Sequence, residues 1–371
     1  MKIIAADIYA HDLRYADGSY SMSGGRTVTT LPSTLVRLRT DEGIEGWGEA
    51  CPLGDTYLES FAGGVRAALP QLAEALVRAQ ADPRETGVVG AAMDATLRGQ
   101  AAAKSAIDVA CWDILGKSAG LPVCTLLGGR RQADFPLYVA LPLGTPDAMA
   151  VAARAQIALG IRALQLKLGA DPRGDAARVR AVREAAGEDV LIVADANGGW
   201  RRHDAIAAAR LLEGVERLIL EQPCPTYGEC RELRRHTTLP FSLDEIVVDL
   251  VTLAEAACDG AIDAINLKIG RVGGLTTARA MRDAAAALGV RMTIEDSWGG
   301  DLVTAAVSHL AASTPPEALL HASFMNDWVS DHAAGYAPRS RDGRGAAPDA
   351  PGLGIEVDAA ALGAPLVRVG G

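Results

Sequence analysis

Short apolar runs alternate with helical segments along the middle of the chain. The run ALQLKLG, residues 163–169, has the alternation of a β-strand, with leucines on one side and Gln165 and Lys167 on the other. Comparable runs rich in Leu, Ile and Val recur downstream, and the segments between them have a helical pattern. Because buried strands that alternate with helices form parallel sheets covered on both faces, the polar residues that end these runs are expected at the carboxyl ends of buried strands.

The number of these runs predicts an α/β fold of the (β/α)8 type, that is, a modified TIM barrel. Strand candidates lie at residues 136–141, 162–168, 190–195, 217–221, 240–244, 262–268, 290–294 and 317–322. The last strand and its helix are weakly marked, so a closing count of seven is an alternative. In such a barrel the active site lies at the carboxyl ends of the strands.

The segments on either side of the barrel predict a second, α+β domain. Residues 1–50 have the pattern of antiparallel strands with a hairpin turn at 41–43, and residues 58–120 have a helical pattern. We therefore predict an α+β domain at residues 1–130, the barrel at 131–338, and a C-terminal segment at 339–371 that returns to pack on the first domain.

Composition and motifs narrow the class of protein. The chain of 371 residues carries a formal net charge of −10, which argues against nucleic acids and anionic membranes as partners. It has no apolar run long enough to cross a bilayer, and its first residues lack a signal-peptide pattern, so we predict a cytoplasmic protein. The six cysteines form no CxxC pair, and no GxGxxG, P-loop, GxSxG or HExxH motif is found.

Three acidic residues end successive predicted strands. Asp195, Glu221 and Asp244 lie one βα unit apart from each other, and neighbouring strand ends are about 5 Å apart, so we expect the three carboxylates to converge. Their mutual repulsion would be relieved by a hard divalent cation, and oxygen ligands with room for water or substrate suit Mg²⁺. The alternative is that these acids are helix N-caps or salt-bridge partners.

Two lysines end the second and sixth predicted strands. Lys167 and Lys268 are expected to flank the acids from opposite sides, and their inward neighbours Gln165 and Asn266 are polar side chains that need partners in a buried strand. Beside a carboxylate bound to Mg²⁺, a lysine with a lowered pKa can remove an α-proton, and a second lysine can return a proton or help a β-hydroxyl to leave. The alternative for a single strand lysine is a side chain that extends its amine to solvent.

Several motifs resemble those of the enolase superfamily, in its muconate lactonizing enzyme subgroup. They are KSAIDVACWDILGKSAGLPVCTLLGG, ADANGGW, EQP, LDE and NLKIGRVGG, and the resemblance extends over essentially the whole chain. The metal and base motifs are carried here by Asp195, Asn197, Glu221, Asp244 and Lys268. The resemblance implies a barrel capped by the N-terminal domain, with Mg²⁺ as cofactor.

Two positions depart from the subgroup pattern. Gln165 stands where the subgroup usually has the first lysine of Lys-x-Lys, so the supporting role of that lysine is missing or replaced. The segment TIEDSWGGD has no histidine where the mandelate racemase subgroup carries a His/Asp dyad, which places the chain with the two-lysine enzymes and argues against an acid-sugar dehydratase. A barrel that binds a ligand without turnover is the non-enzymatic alternative, and the presence of both lysines argues against it.

The resemblance also suggests a substrate class. The segments CPLGDTYLESFAGG and EDSWGGDLVTAAVSH resemble the branch that acts on small carboxylates derived from proline. We expect dehydration of cis-3-hydroxy-L-proline. The alternatives are 2-epimerisation of proline betaine or 4-hydroxyproline betaine, and racemisation of another amino acid or a dipeptide. A betaine epimerase would be expected to present a tryptophan at the eighth strand, where this chain has Phe324, and this favours the dehydratase.

The expected substrate contacts complete the predicted site. Asp296 is expected to pair with a ring ammonium, with Glu295 or Asp301 as alternatives, and Tyr57 to close over the ring. The full predicted substrate-binding set is Tyr57, Gln165, Asn197, Asn266, Asp296 and Phe324. Homo-oligomers are common in the family, and we expect one here.

Overall fold

Residues 1–371 are described by a computed structural model, whose main strands form two sheets. The strands are β1 (Ile3–Arg14), β2 (Tyr20–Met22), β3 (Arg26–Val28), β4 (Thr30–Thr40), β5 (Glu45–Ala50), β6 (Phe135–Pro136), β7 (Tyr138–Leu141), β8 (Ala163–Lys167), β9 (Leu191–Asp195), β10 (Leu218–Glu221), β11 (Phe241–Leu243), β12 (Ala264–Lys268), β13 (Arg291–Glu295), β14 (Leu319–Ala322), β15 (Arg344–Gly345) and β16 (Val367–Gly370). The helices are α1 (Ala62–Ala79), α2 (Thr86–Thr96), α3 (Ala101–Ala119), α4 (Val123–Leu126), α5 (Pro146–Ala158), α6 (Pro172–Ala186), α7 (Arg202–Leu212), α8 (Tyr227–Leu233), α9 (Leu250–Cys258), α10 (Ile269–Val272), α11 (Leu275–Ala287) and α12 (Asp301–Ala312).

Strands β7 to β14 form an eight-stranded parallel sheet in sequential order, which curls into a nearly closed barrel. Helices α5 to α12 connect them and cover the outer face of the sheet, so the strand interiors consist of buried Leu, Ile, Val and Ala. The predicted barrel is confirmed, and each observed strand overlaps its predicted range.

The eighth βα unit differs from the other seven. Strands β14 and β7 share only an isolated bridge between Leu137 and Ala322, and a 3-10 helix at Met325–Trp328 follows β14 in place of an α-helix. The alternative of seven strands is therefore wrong. The weak helical pattern after the last strand has a physical cause, because no α-helix forms there.

The N-terminal sheet caps the carboxyl ends of the barrel strands. Its order is β16-β1-β4-β5, and the β4–β5 hairpin turns at Gly43, which has a φ of +77°. Strand β16 pairs antiparallel with β1, with Gly370 opposite Ala5, so the C-terminal segment returns to this domain as predicted. Helices α1 to α3 pack on the sheet, and α3 ends at Gly120, where the left-handed φ of +67° favours glycine.

Two buried carboxylates join the capping domain to the barrel. Glu49 at the end of β5 accepts hydrogen bonds from the backbone N–H groups of Gly300 (2.9 Å) and Val303 (3.2 Å) at the start of α12. Asp108 on α3 accepts one from the backbone N–H of Thr276 (3.0 Å) at the start of α11. Unpaired N–H groups at a helix N-terminus favour an anionic acceptor. Since α11 and α12 follow the strands that end in Lys268 and Glu295, these contacts fix the cap above that side of the barrel mouth.

None of the helices combines the length and the apolar composition needed to cross a membrane. All six cysteines are free thiols, and five of them are buried. They pack as small apolar side chains and take no part in a metal site.

Candidate active site

The ends of four barrel strands carry buried carboxylates at the mouth, and three of these carboxylates converge. Asp195 lies opposite Glu221 in the β9–β10 register, and Asp244 follows the end of β11. Carboxylate oxygens of Glu221, Asp244 and Glu295 lie within 4.8 Å of one another, and all four side chains are at least 98 % buried. The strand ends thus bring two of the predicted acids, Glu221 and Asp244, together with Glu295 from the seventh strand, while Asp195 lies beside Glu221 in the strand register but outside this group.

Glu221 is the least compensated of these acids. Its carboxylate accepts hydrogen bonds from Gln165 Nε2 (2.9 Å to each oxygen) and from Asn266 Nδ2 (2.8 Å), both of which are neutral donors. Burial, together with the negative charges of Asp195 and Asp244, raises the pKa of Glu221 well above its usual value. A buried carboxylate in this state is a site where a cation would bind favourably.

The two lysines lie on either side of the acids. Lys167 Nζ is 2.5 Å from an Asp195 oxygen, and Lys268 Nζ is 2.7 Å from an Asp244 oxygen. Burial alone would lower the pKa of each amine, but the charge of the paired carboxylate outweighs this effect and the pKa of both lysines is raised. Both amines point into the barrel mouth, and their raised pKa corrects the lowered lysine pKa expected from the sequence, because each amine is paired with a buried carboxylate.

Arg271 adds a third cation, which was not among the predicted site residues. Its guanidinium lies 2.5 Å from the second Asp244 oxygen and also donates to the backbone oxygen of Asn266. Burial would raise the pKa of Asp244, but the charges of Lys268 and Arg271 outweigh this and hold it well below the usual value. The segment NLKIGRVGG includes Arg271, but the direction of the Arg271 side chain depends on the tight turn into α10, which the sequence does not specify.

A narrow cavity separates the two lysines. Its volume is about 20 Å³, and aromatic side chains form much of its wall. They are Tyr20, Tyr57, Tyr138, Trp298 and Trp328. The rings pack edge to face, with centroid separations of 5.0 Å between Tyr20 and Trp298 and 5.5 Å between Trp298 and Trp328. The space between the lysines is therefore walled by both aromatic and charged side chains, and its present volume holds roughly one water molecule.

Three predicted substrate contacts line this cavity. They are Tyr57, Gln165 and Asp296. The Tyr57 hydroxyl lies 2.8 Å from Glu245 and 3.2 Å from Asp244, and it is 3.1 Å from Lys268 Nζ. Asp296 accepts hydrogen bonds from the backbone N–H groups of Gly270 (2.8 Å) and Ser297 (2.7 Å), and burial raises its pKa to about 6.

Two other predicted contacts are engaged with protein groups. Asn266 lies between Glu221 and Glu295, donates to both at 2.8 Å, and accepts from the Ser242 hydroxyl at 2.9 Å. Asn197 donates to Glu245 at 2.9 Å from the loop after β9. Their side chains hold carboxylates in place, and neither lines the cavity between the lysines.

Phe324 requires a correction. Its side chain is buried in the hydrophobic core, where it packs edge to face on Phe135 with ring centroids 6.0 Å apart, and it does not line the cavity. The chain turns after β14, so Trp328 in the 3-10 helix takes the place in the cavity wall that was predicted for Phe324. No pattern in the sequence indicated this turn.

Sequence reasoning also missed the pair formed by Tyr138 and Glu295. The Tyr138 hydroxyl donates to one Glu295 oxygen, and Asn266 donates to the other at 2.8 Å. Burial raises the pKa of Glu295, and burial also raises that of Tyr138 well above its usual value. Glu295 ends an apolar run as the other acids do, so its place in the site could have been predicted. Nothing in the sequence around Tyr138 indicated a role in the site.

A larger cavity of about 660 Å³ lies beside the narrow one, between the cap and the barrel. Arg98 and Gln100 line it from the capping domain, and Glu245 and Arg271 line it from the barrel. Asp296 lines both cavities, so it stands at the boundary between this vestibule and the space between the lysines.

Comparison with known proteins agrees with this architecture. Residues 11–128 match the mandelate racemase/muconate lactonizing enzyme N-terminal domain, and residues 148–361 match the enolase C-terminal domain-like family. The chain is 46 % identical over 370 residues to a cis-3-hydroxy-L-proline dehydratase from Roseibium aggregatum, an alignment that covers 99 % of this chain and 100 % of the relative. It is 30 % identical to an N-succinyl-L-Arg/Lys racemase from Bacillus cereus, over 84 % of this chain and 85 % of the relative.

Solved structures give the same result. The fold matches that of an enolase superfamily member from Roseovarius nubinhibens complexed with magnesium, with a TM-score of 0.92, 36 % identity and full coverage of both chains. The N-succinyl Arg/Lys racemase structure from Bacillus cereus also matches, with a TM-score of 0.92 and 28 % identity over 99 % of each chain. The chain belongs to the mandelate racemase/muconate lactonizing enzyme family of the enolase superfamily.

Proposed function

We propose that this protein removes the α-proton of a cyclic amino acid and that its main reaction is the dehydration of cis-3-hydroxy-L-proline. The observation that carries the chemistry is the placement of two buried lysines on opposite sides of a carboxylate cluster. The sequence identity of 46 % to a cis-3-hydroxy-L-proline dehydratase, over 99 % of this chain and 100 % of the relative, supports the choice of substrate.

The acids fit a magnesium ion. Asp195, Glu221 and Asp244 are the residues that would hold it, because they offer buried oxygen ligands and because Glu221 has only neutral hydrogen-bond donors around it. When bound there, Mg²⁺ supplies positive charge that stabilises the negative charge developing on the substrate carboxylate during α-proton removal. Asp195 and Asp244 each pair with a lysine, so we expect these ion pairs to loosen when the cation is present.

The lysines perform the proton transfers. Loosening of its ion pair removes the carboxylate charge that raises the pKa of one lysine, so that its amine can take the α-proton in the neutral form. The ammonium of the other lysine gives a proton to the departing hydroxyl, so that water leaves. The aromatic wall excludes bulk water from the space between them. Gln165 and Asn266 act as positioning residues, because they hold the Glu221 carboxylate with neutral donors.

The cavity supports a small cyclic substrate. Its volume of about 20 Å³ holds roughly one water molecule, so a ring enters only if wall side chains move, and the small space disfavours the longer side chains of a dipeptide. Asp296 offers a carboxylate to the ring ammonium from the side of the vestibule. We propose that the substrate enters through the vestibule and that its amine is bound by Asp296.

Asp296 predicts a pH dependence for substrate binding. Burial raises its pKa to about 6, so the carboxylate is ionised above this pH and neutral below it. Because a neutral acid attracts an ammonium weakly, kcat/KM for a substrate amine should fall by up to about tenfold per pH unit below pH 6. The Asp296→Asn variant should show a higher KM at pH 8 and a flatter profile between pH 5 and pH 7. Parallel profiles for the two proteins would contradict the assignment.

The reaction itself is tested by one panel of substrates. The protein is incubated with Mg²⁺ in D₂O with L-proline, cis- and trans-hydroxyprolines, and their betaines, and the products are followed by NMR. Loss of water from cis-3-hydroxy-L-proline, with deuterium at Cα of the substrate that remains, is the expected result. Absence of α-proton exchange with every member of the panel would contradict the proposed function.

A second candidate is a 2-epimerase of a proline betaine. The specific observation in its favour is the aromatic wall, since the faces of Trp298, Trp328 and Tyr20 are the kind of surface that binds a quaternary ammonium. The same panel decides between the two. Exchange with inversion of a betaine, without loss of water from cis-3-hydroxy-L-proline, would favour the epimerase.

A further inference from the structure

Tyr138 and Glu295 form a hydrogen-bonded pair in the wall of the reaction cavity. Tyr138 begins the first barrel strand and Glu295 ends the seventh, so their contact spans the seam where β7 and β14 share only one bridge. Both side chains are at least 97 % buried, and both line the space between the lysines. Neither belongs to the three acids proposed to hold Mg²⁺ or to the proposed proton-transfer residues.

The surroundings of the pair favour an oxygen-bearing group of the substrate. Glu295 is aligned with Lys268 in the β12–β13 register, and one of its oxygens is 3.6 Å from Lys268 Nζ. The other oxygen accepts from Tyr138, whose own oxygen keeps lone pairs available to the cavity. A hydroxyl that donates to this pair would present its remaining lone pairs to the Lys268 ammonium.

We infer that Tyr138 and Glu295 bind the β-hydroxyl of the substrate and hold it beside Lys268. This inference rests on the proposed dehydration, and it makes the pair a specificity-determining element that separates loss of water from simple α-proton exchange.

The stereochemistry of the substrate then assigns a role to each of the two lysines. In cis-3-hydroxy-L-proline the hydroxyl and the carboxylate lie on one face of the ring, so the α-proton lies on the other. A hydroxyl held at Glu295 faces Lys268, and the α-proton therefore faces Lys167. The Lys167 amine takes the α-proton, the C–H electrons form the Cα–Cβ double bond, and the Cβ–O bond breaks with its electrons on oxygen. The Lys268 ammonium protonates that oxygen, so water leaves, and the pair itself contributes no proton.

The test separates this role from a structural one. Wild type, Tyr138→Phe and Glu295→Gln, each loaded with Mg²⁺, are incubated with cis-3-hydroxy-L-proline in D₂O, and NMR follows water loss and deuterium at Cα in the same sample. Losing a buried hydrogen bond to the hydroxyl should lower the rate of water loss by about tenfold or more in both variants. Deuterium incorporation at Cα of the unreacted substrate should stay within about threefold of wild type, because the Lys167 side of the ring is unchanged.

A matched control and two further readouts make the outcomes distinct. Tyr227→Phe removes a hydroxyl that donates to Asp259 (2.7 Å) on the outer surface of the barrel, and this variant should keep both rates. The Kd for Mg²⁺, measured by calorimetry, should be unchanged in Tyr138→Phe and Glu295→Gln, and circular dichroism should show native folding in both.

Three results would overturn the inference. Equal losses of exchange and water elimination would show that the pair only supports the fold. A tenfold or larger loss of Mg²⁺ affinity in Glu295→Gln would make Glu295 a metal ligand, in line with its distance from Glu221 and Asp244. If wild type exchanges no α-proton of any proline derivative, the proposed function fails, and the inference fails with it.

Discussion

Replacing Lys167 or Lys268 with alanine is expected to lower turnover by at least about 10²-fold, the lower range for losing a general acid or base. Both lysines line the narrow cavity, and each amine faces one side of the proposed substrate. No other lysine lines the cavity, so a neighbouring amine cannot substitute. The measurement is the rate of loss of cis-3-hydroxy-L-proline, followed by NMR at saturating Mg²⁺.

Lys104 offers a matched control for these variants. It is also buried and paired with an aspartate, with its amine 2.6 Å from Asp94, but it lies on α3 in the capping domain. Lys104→Ala should therefore keep a turnover close to that of wild type while losing the ion pair of a buried lysine, although its partner Asp94 is exposed. Wild-type rates in both Lys167→Ala and Lys268→Ala would remove the roles assigned to the two amines.

The barrel could be predicted from the sequence because strands buried on both faces leave a strong apolar pattern. The run that ends at Lys167 is an example, since its leucines and its polar positions alternate and its helix follows at once. The eighth unit could not be predicted as clearly, because its seam is closed by side chains such as Phe135 and Phe324 from distant segments. Packing of this kind leaves no local pattern.

The same reasoning explains which residues of the site could be predicted from the sequence. Asp195, Glu221 and Lys268 could be placed because each ends a strand, and parallel strands bring their carboxyl ends to one edge. Trp298 lies in the loop after β13 and Trp328 in the 3-10 helix after β14, where the direction of a side chain depends on the preceding turn, so the aromatic wall could not be predicted.

Contacts between the domains were also beyond sequence reasoning. Glu49 accepts a hydrogen bond from Gly300 at the start of α12, and these two residues are 251 positions apart along the chain. The sequence shows a glutamate near the end of a short strand, but only the docked domains reveal its partner. Carboxylates buried for this reason are hard to distinguish by sequence from those that serve a metal.

Replacing Glu221 with glutamine is expected to stabilise the metal-free protein at pH 8. Burial and the charges of Asp195 and Asp244 raise the pKa of Glu221 well above its usual value. A group whose pKa is higher in the folded state stabilises the fold below its unfolded pKa, which is about 4.3 for Glu, and this contribution is lost as the pH rises through the folded pKa. The ionised carboxylate therefore opposes folding at pH 8, and the gain in Tm from Glu221→Gln should shrink as the pH is lowered toward 5.

The same substitution should remove the response to Mg²⁺. For wild type treated with EDTA, adding Mg²⁺ at 100 times its Kd should stabilise the fold by about 2.7 kcal/mol, because the ion binds only the folded state. Glu221→Gln should show little of this stabilisation, and its turnover should fall by about 10²- to 10³-fold, since charge on the substrate carboxylate is no longer stabilised. Thermal unfolding with and without Mg²⁺, followed by the NMR assay, measures both effects.

Asp108→Asn separates these effects from the general consequence of neutralising a buried acid. Burial raises the pKa of Asp108 to about 6, but its hydrogen bonds go to Thr276 at the start of α11, so this variant should change stability with pH and keep the full response to Mg²⁺. If Glu221→Gln binds Mg²⁺ as tightly as wild type, the cation is not held by Glu221. The ion would then be bound away from Glu221, and Asp195 and Asp244 would be compensated by their ion pairs with Lys167, Lys268 and Arg271.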